Sequence, residues 1–144
     1  MPKTIFLTWI AIAMLSFSAK AQQQDPWNNN QLVNPADLAA KIEKGQAGNL
    51  LILNIGPDAV IKGSVNIGPG QDAENIDKLK AYLQSVPKDK EVILYCGCCP
   101  FSRCPNIRPA FKTLAELGFV NRKLLDIPKN IKANWLDKGY AVND

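Results

Sequence analysis

"EVILYCGCCPFSRCPNIRPAFKTLAELG", residues 91–118, is the stretch on which the fold turns. An apolar run ends at Tyr95, Cys96 follows at once, and a helical pattern opens near Asn106 and closes at Gly118. A short apolar run without alternation fits a strand covered on both faces, as in a parallel sheet. Asn106 suits an N-cap, Pro109 is tolerated in the first turn, and Gly118 suits a helix end. Between strand and helix lie all four cysteines of the chain, Cys96, Cys98, Cys99 and Cys104, and the 144 residues contain no histidine.

The flanking sequence repeats the alternation. "NPADLAAKIEKG" (34–45) reads as a helix, with Asn34 as N-cap, Pro35 at the first helical position, Asp37 in the first turn and Gly45 at the end. "NLLILNIG" (49–56) is a second buried strand, and "GSVNIGPG" (63–70) a short strand with Gly/Pro punctuation. In "DAENIDKLKAYLQSV" (72–86), Ile76, Leu79, Leu83 and Val86 recur at helical spacing until Pro87. "NRKLLDI" (121–127) is a strand broken by Pro128, and "NIKANWLDKGYAV" (130–142) a short helix and tail. Strands alternating with helices predict an α/β domain with a mainly parallel central sheet flanked by helices.

The first residues read as an address. Lys3 precedes an apolar run from Ile5 to Phe17, and Ala19-Lys20-Ala21 offers a small-x-small cleavage site with Gln22 as the mature start. The run is short for a bilayer span, so residues 1–21 are expected to be a cleaved secretory signal peptide, with no stable membrane anchor and a secreted or periplasmic product. Residues 22–31 form an expected loose arm, and 32–144 the domain. Without the leader, 15 basic residues face 13 acidic ones, scattered and without a basic stripe, which points away from nucleic acid.

Export makes disulfides the default state of cysteine, yet these four could close only short loops. Four readings of the loop stand. Cys96, Cys99 and Cys104 could converge on a metal, but Cys98 is badly placed to complete a tetrahedron and no histidine can substitute. Cys98 or Cys99 could bridge to Cys104, whereas a bond between the adjacent pair would be strained. A thioredoxin-like dithiol would need more chain than the 16 residues after Pro128. A single nucleophile is the fourth reading. The junction of strand and helix is where open α/β sheets place their chemistry, and free N–H groups there favour a thiolate.

"KEVILYCGCC", "RPAFKTLAELGFVNRKLLDI" and "NWLDKGYAV" together resemble the rhodanese-like domain. The carriers are Cys96 after the strand, Leu117-Gly118-Phe119, Trp135 and Gly139-Tyr140-Ala141-Val142. "NPADLAAKI", "LLILNI" and "IKGSVNI" resemble the family's opening segments, so the likeness runs over about residues 31–143. This chain departs from the pattern in four places. Asn54-Ile55-Gly56 stands in place of Asp-x-Arg, and Ala59-Val60 in place of Gly-His. The loop is longer than the family's C-x4-R, and Gly118 lies farther from Cys96 than usual. From Cys96 the next arginine is Arg103, two positions late; counted from Cys98 the C-x4-R spacing is met.

The resemblance implies a three-layer rhodanese-like domain and a sulfurtransferase that needs no cofactor or metal. Cys96, or alternatively Cys98, would take a sulfane sulfur from a thiosulfate-like donor as a persulfide and pass it to a thiol or cyanide acceptor. Gly97, Cys98, Cys99, Phe101, Ser102, Arg103 and Cys104 would form the active loop, with Arg103 or Arg108 holding an anionic donor. Gly97 is expected to permit a tight turn, and Trp135 and Phe111 to belong to the core. The other class of function is a non-catalytic cysteine cluster for thiol–disulfide exchange or for soft metal such as Cu(I) or zinc.

Overall fold

Five parallel strands make the central sheet: β1 (Leu32–Val33), β2 (Leu50–Asn54), β3 (Val65–Asn66), β4 (Glu91–Tyr95) and β5 (Arg122–Leu125). Their spatial order is β1-β5-β4-β2-β3. The computed structural model describes residues 24–144; the expected signal peptide, its cleavage point and the first residues of the arm lie outside the described residues. The helices are α1 (Pro35–Glu43), α2 (Ala73–Leu83), α3 (Ile107–Glu116) and α4 (Ile131–Asn134). The expected mainly parallel α/β sheet is the one observed. Among the described residues no helix is long and apolar enough to cross a membrane.

Side-chain alternation along β4 divides the core in two. Val92, Leu94 and Cys96 face the layer built by Leu79 and Leu83 of α2 and by Ile107, Ala110, Phe111 and Leu114 of α3. Ile93 and Tyr95 face the opposite layer, with Leu38 of α1 and Trp135. All five side chains from Val92 to Cys96 are buried, which is why the strand reads as apolar without a break. Each buried aliphatic side chain here is worth roughly 2 kcal/mol.

Several boundaries depart from expectation for visible reasons. The strand read as 49–56 stops at Asn54, because the Asn54 amide accepts from Gly56 N and donates to Gly56 O, turning the chain. The helix read to Val86 stops at Leu83. The strand read as 121–127 spans only Arg122–Leu125. Asn34 caps α1 as expected, accepting from Ala36 N at 2.8 Å. Asn106 does not cap α3: its backbone is already helical and its side chain makes no capping bond. β1 carries no signal in sequence, being two residues long.

Residues 24–31 are not a loose arm. Asn28 and Gln31 form a reciprocal cap around a 3-10 turn at Asn29–Gln31. Trp27 packs edge-on against Phe111 at 5.8 Å and beside Phe101 at 6.2 Å. Arg108 lies over its ring and pairs with Asp25.

Candidate functional site

β4 delivers Cys96 to the carboxyl edge of the sheet, and the loop to α3 begins there. The position after Tyr95 belongs to the face of Val92 and Leu94, so the thiol points toward α3 and is 1% exposed. Phe101–Arg103 forms a 3-10 turn, tied to the segment just after β5 by Phe101 N to Ile127 O at 3.0 Å. Cys104 then returns the chain to the core, fully buried.

The four sulfurs are free thiols; no bridge joins Cys104 to Cys98 or Cys99. Cys96 Sγ lies 3.2 Å from Cys98 Sγ, which lies 3.3 Å from Cys99 Sγ. The sulfurs of Cys96, Cys98 and Cys104 all fall within 4.8 Å of one another. The set that converges therefore contains Cys98, not Cys99 as the C-x2-C spacing suggested. Three thiols at this separation could hold a soft metal ion.

Hydrogen bonds mark Cys96 as the thiolate. The Cys104 thiol gives the largest contribution; Cys98 N–H, the Asn106 amide and the Cys98 thiol add to it against the opposing effect of burial, and together they pull Cys96 down to about 5. Cys98 is pushed the other way, up to about 12, by desolvation of its sulfur and by the neighbouring sulfurs of Cys96 and Cys99. Cys104 is raised because its proton is held against Cys96. One anionic sulfur served by surrounding donors is the pattern of an activated cysteine.

Four residues outside the predicted set shape this environment. Asn106 donates from Nδ2 to Cys96 Sγ at 3.4 Å, and its Oδ1 accepts from Gln71 N at 3.1 Å. The second bond fixes which end of the amide meets the sulfur. Gly70 allows this approach, since a Cβ there would stand 2.3 Å from Asn106 O. Gly56 forms the opposite wall, where a Cβ would lie 2.8 Å from Cys96 Sγ. Buried Asn54 holds that turn and also donates to Asn66 Oδ1 at 2.9 Å. The sequence signal was present: Asn54-Ile55-Gly56 is one of the places where the chain departs from the pattern it resembles.

The remaining predicted residues fall in different places. Gly97 does not adopt a positive φ; it is needed for close approach, as a Cβ would meet Ile131 Cβ at 2.6 Å. Gly97 and Cys98 line a cavity of about 200 Å³ with Pro57, Asp58, Val60 and Ile131. Arg103 and Arg108 do not line it. They face a separate cavity of about 530 Å³ with Pro105, Pro109 and Lys112, and Arg108 is engaged by Asp25 and by Ser102 O. Ser102 is exposed, Phe101 lies under Trp27, and Phe111 and Trp135 are core as expected.

No protein-family profile and no curated protein matches the chain. Among solved structures it is similar to SseA of Escherichia coli, a 3-mercaptopyruvate sulfotransferase described as having the "Rhodanese" fold. That TM-score is 0.45 at 21% identity, over 70% of this chain and 43% of that one. It is also similar to an NAD-dependent persulfide reductase from A. fulgidus, with a TM-score of 0.41 at 21% identity, over 69% of this chain and 18% of that one. This chain thus spans less than half the length of either, and the likeness is one of fold rather than of activity.

Proposed function

We propose that the domain is an exported, rhodanese-like sulfurtransferase whose Cys96 carries a sulfane sulfur as a persulfide. The observation that carries this reading is the enclosed Cys96 sulfur at the end of β4, met by Asn106 Nδ2 at 3.4 Å and by the Cys98 sulfur at 3.2 Å, surroundings that lower its pKa. Covalent sulfur transfer needs a thiolate of fixed position, and the same donors steady the terminal anion of a persulfide. The thiolate attacks the outer sulfur of a thiosulfate-like donor, sulfite leaves with the bonding pair, and Cys96 keeps the sulfur. A thiol or cyanide then attacks that sulfur and the Cys96 thiolate departs. Arg103 and Arg108 line the other cavity, and in this reading an anionic donor meets the N–H groups of the loop at Cys96 instead.

The experiment is mass analysis of reduced protein after thiosulfate treatment. One added sulfur is expected, located by fragmentation on Cys96 and absent from Cys96→Ser. Loading of Cys96→Ser but not Cys98→Ser would move the nucleophile to Cys98. Intact mass from the native host tests export, with loss of residues 1–21 as the expected result.

A second reading is favoured by the approach of Cys96, Cys98 and Cys104 within 4.8 Å: a three-thiolate site for soft metal. Elemental analysis of protein purified without chelator separates the two. About one copper or zinc per chain, with loss of fold on stripping, would support the metal site.

A further inference from the structure

Cys96 and Cys98 differ in one respect that matters for any acceptor. Cys96 is 1% exposed, enclosed by Gly56, Cys104 and Asn106, whereas Cys98 is exposed and its sulfur touches that of Cys96 at 3.2 Å. A small donor or cyanide can work in a narrow space. The sulfur of a peptide-sized thiol must bring its own chain along, and nothing that large fits against a sulfur closed in on three sides. The exposed sulfur next in line is Cys98, which also lines the 200 Å³ cavity open beside the loop.

We propose that Cys98 is a relay thiol, which takes the outer sulfur from a Cys96 persulfide and presents it at the surface to bulky thiol acceptors. This deepens the sulfurtransferase reading and rests on it. The step is an exchange with no net oxidation. Cys98 Sγ forms a bond to the outer sulfur as the bond from that sulfur to Cys96 Sγ breaks. Cys96 leaves as thiolate, and the proton of Cys98 passes to the transferred sulfur. A deprotonated Cys96 persulfide and a Cys98 thiol thus become a Cys96 thiolate and a Cys98 persulfide, equal in atoms and charge.

Attack on the inner sulfur would instead expel hydrosulfide and leave a Cys96–Cys98 disulfide. Exchange favours departure of the more acidic thiol. Cys96 leaves into donors already in place, with the Asn106 amide nitrogen 3.4 Å from its sulfur, and is therefore the favoured leaving group. The donors that create the thiolate for loading therefore also release it for transfer. Cys99 Sγ lies 3.3 Å from Cys98 Sγ, one sulfur contact farther along from Cys96.

The experiment is single-turnover discharge. Reduced wild-type protein and Cys98→Ser are loaded with thiosulfate, freed of donor, and mixed with either cyanide or a cysteine-containing peptide of about ten residues. In the wild type, rapid alkylation and fragmentation should find sulfur on both Cys96 and Cys98. Cys98→Ser loses one donor to Cys96, so loading and cyanide discharge should slow alike, while the ratio of peptide to cyanide discharge should fall at least tenfold below that of the wild type. An equal ratio in the two proteins, with sulfur found on Cys96 alone, would overturn the relay while leaving Cys96 as the sulfur carrier. Stoichiometric hydrosulfide release with a Cys96–Cys98 disulfide would also overturn it, placing attack on the inner sulfur. Failure of the wild type to load at all would sink the sulfurtransferase reading beneath it.

Discussion

Asn106 presents one end of its amide to Cys96 and the other to Gln71, so the sulfur sees a donor whose orientation the main chain has fixed. A residue expected to cap a helix spends its side chain on a thiolate instead. Asn106→Asp tests this relationship, because it replaces the donor by a carboxylate of similar shape. The Cys96 thiolate should be destabilised, and the midpoint of its alkylation profile should rise by at least one pH unit, ~1.4 kcal/mol in the ionisation. The rate of iodoacetamide labelling against pH reads it directly, and an unchanged midpoint would remove Asn106 from the site.

In the wild type, that profile should have its midpoint near pH 5, since donors around Cys96 depress the thiol. The sign for stability follows from the same shift. A thiol depressed in the folded state adds stability that is complete above the ordinary value of 9.0 and is lost as pH falls through about 5. Melting temperature should accordingly drop between pH 7 and pH 5 by more in the wild type than in Cys96→Ser.

Gly56→Ala should put a methyl group 2.8 Å from the Cys96 sulfur. Either the turn held by Asn54 moves or the sulfur does. Sulfur loading should fall at least tenfold with a stability loss of about 1–3 kcal/mol, the usual range for overpacking. Loading at the wild-type rate would show that the wall is not needed.

Trp27→Ala removes the ring that covers Phe101 and Phe111 and stacks on Arg108. Stability should fall by about 2 kcal/mol, below the range for a fully buried Trp because this one is only partly buried. Chemical denaturation measures the loss, and no change would mean that residues 24–31 contribute nothing to the fold.

The sheet was legible because β2 and β4 are covered on both faces and so lack polar interruptions, while Gly45, Pro87 and Gly118 stand at or just beyond the ends of three helices. β1 was not, as two residues carry no period. Cys96 could be singled out because a strand end is a local property. Its surroundings could not, because Gly56, Gln71 and Asn106 lie far apart in sequence and meet only through parallel crossovers. Arg103 was read toward the sulfur from loop spacing, but the 3-10 turn at Phe101–Arg103 carries it to the far cavity. The N-terminal arm looked loose by composition, and its one tryptophan decided otherwise.

The walls around Cys96 also bear on transplantation. Residues 95–106 hold every cysteine and have the look of a self-sufficient cassette for another parallel sheet. Moved alone, they would leave behind the bare α-carbon of Gly56 that makes room for the sulfur and the Gln71 N–H that aims Asn106. Such a chimera would own four thiols and no preferred one. The reactive centre is inherited from three separate passes of the chain, and only a host supplying all three would acquire it.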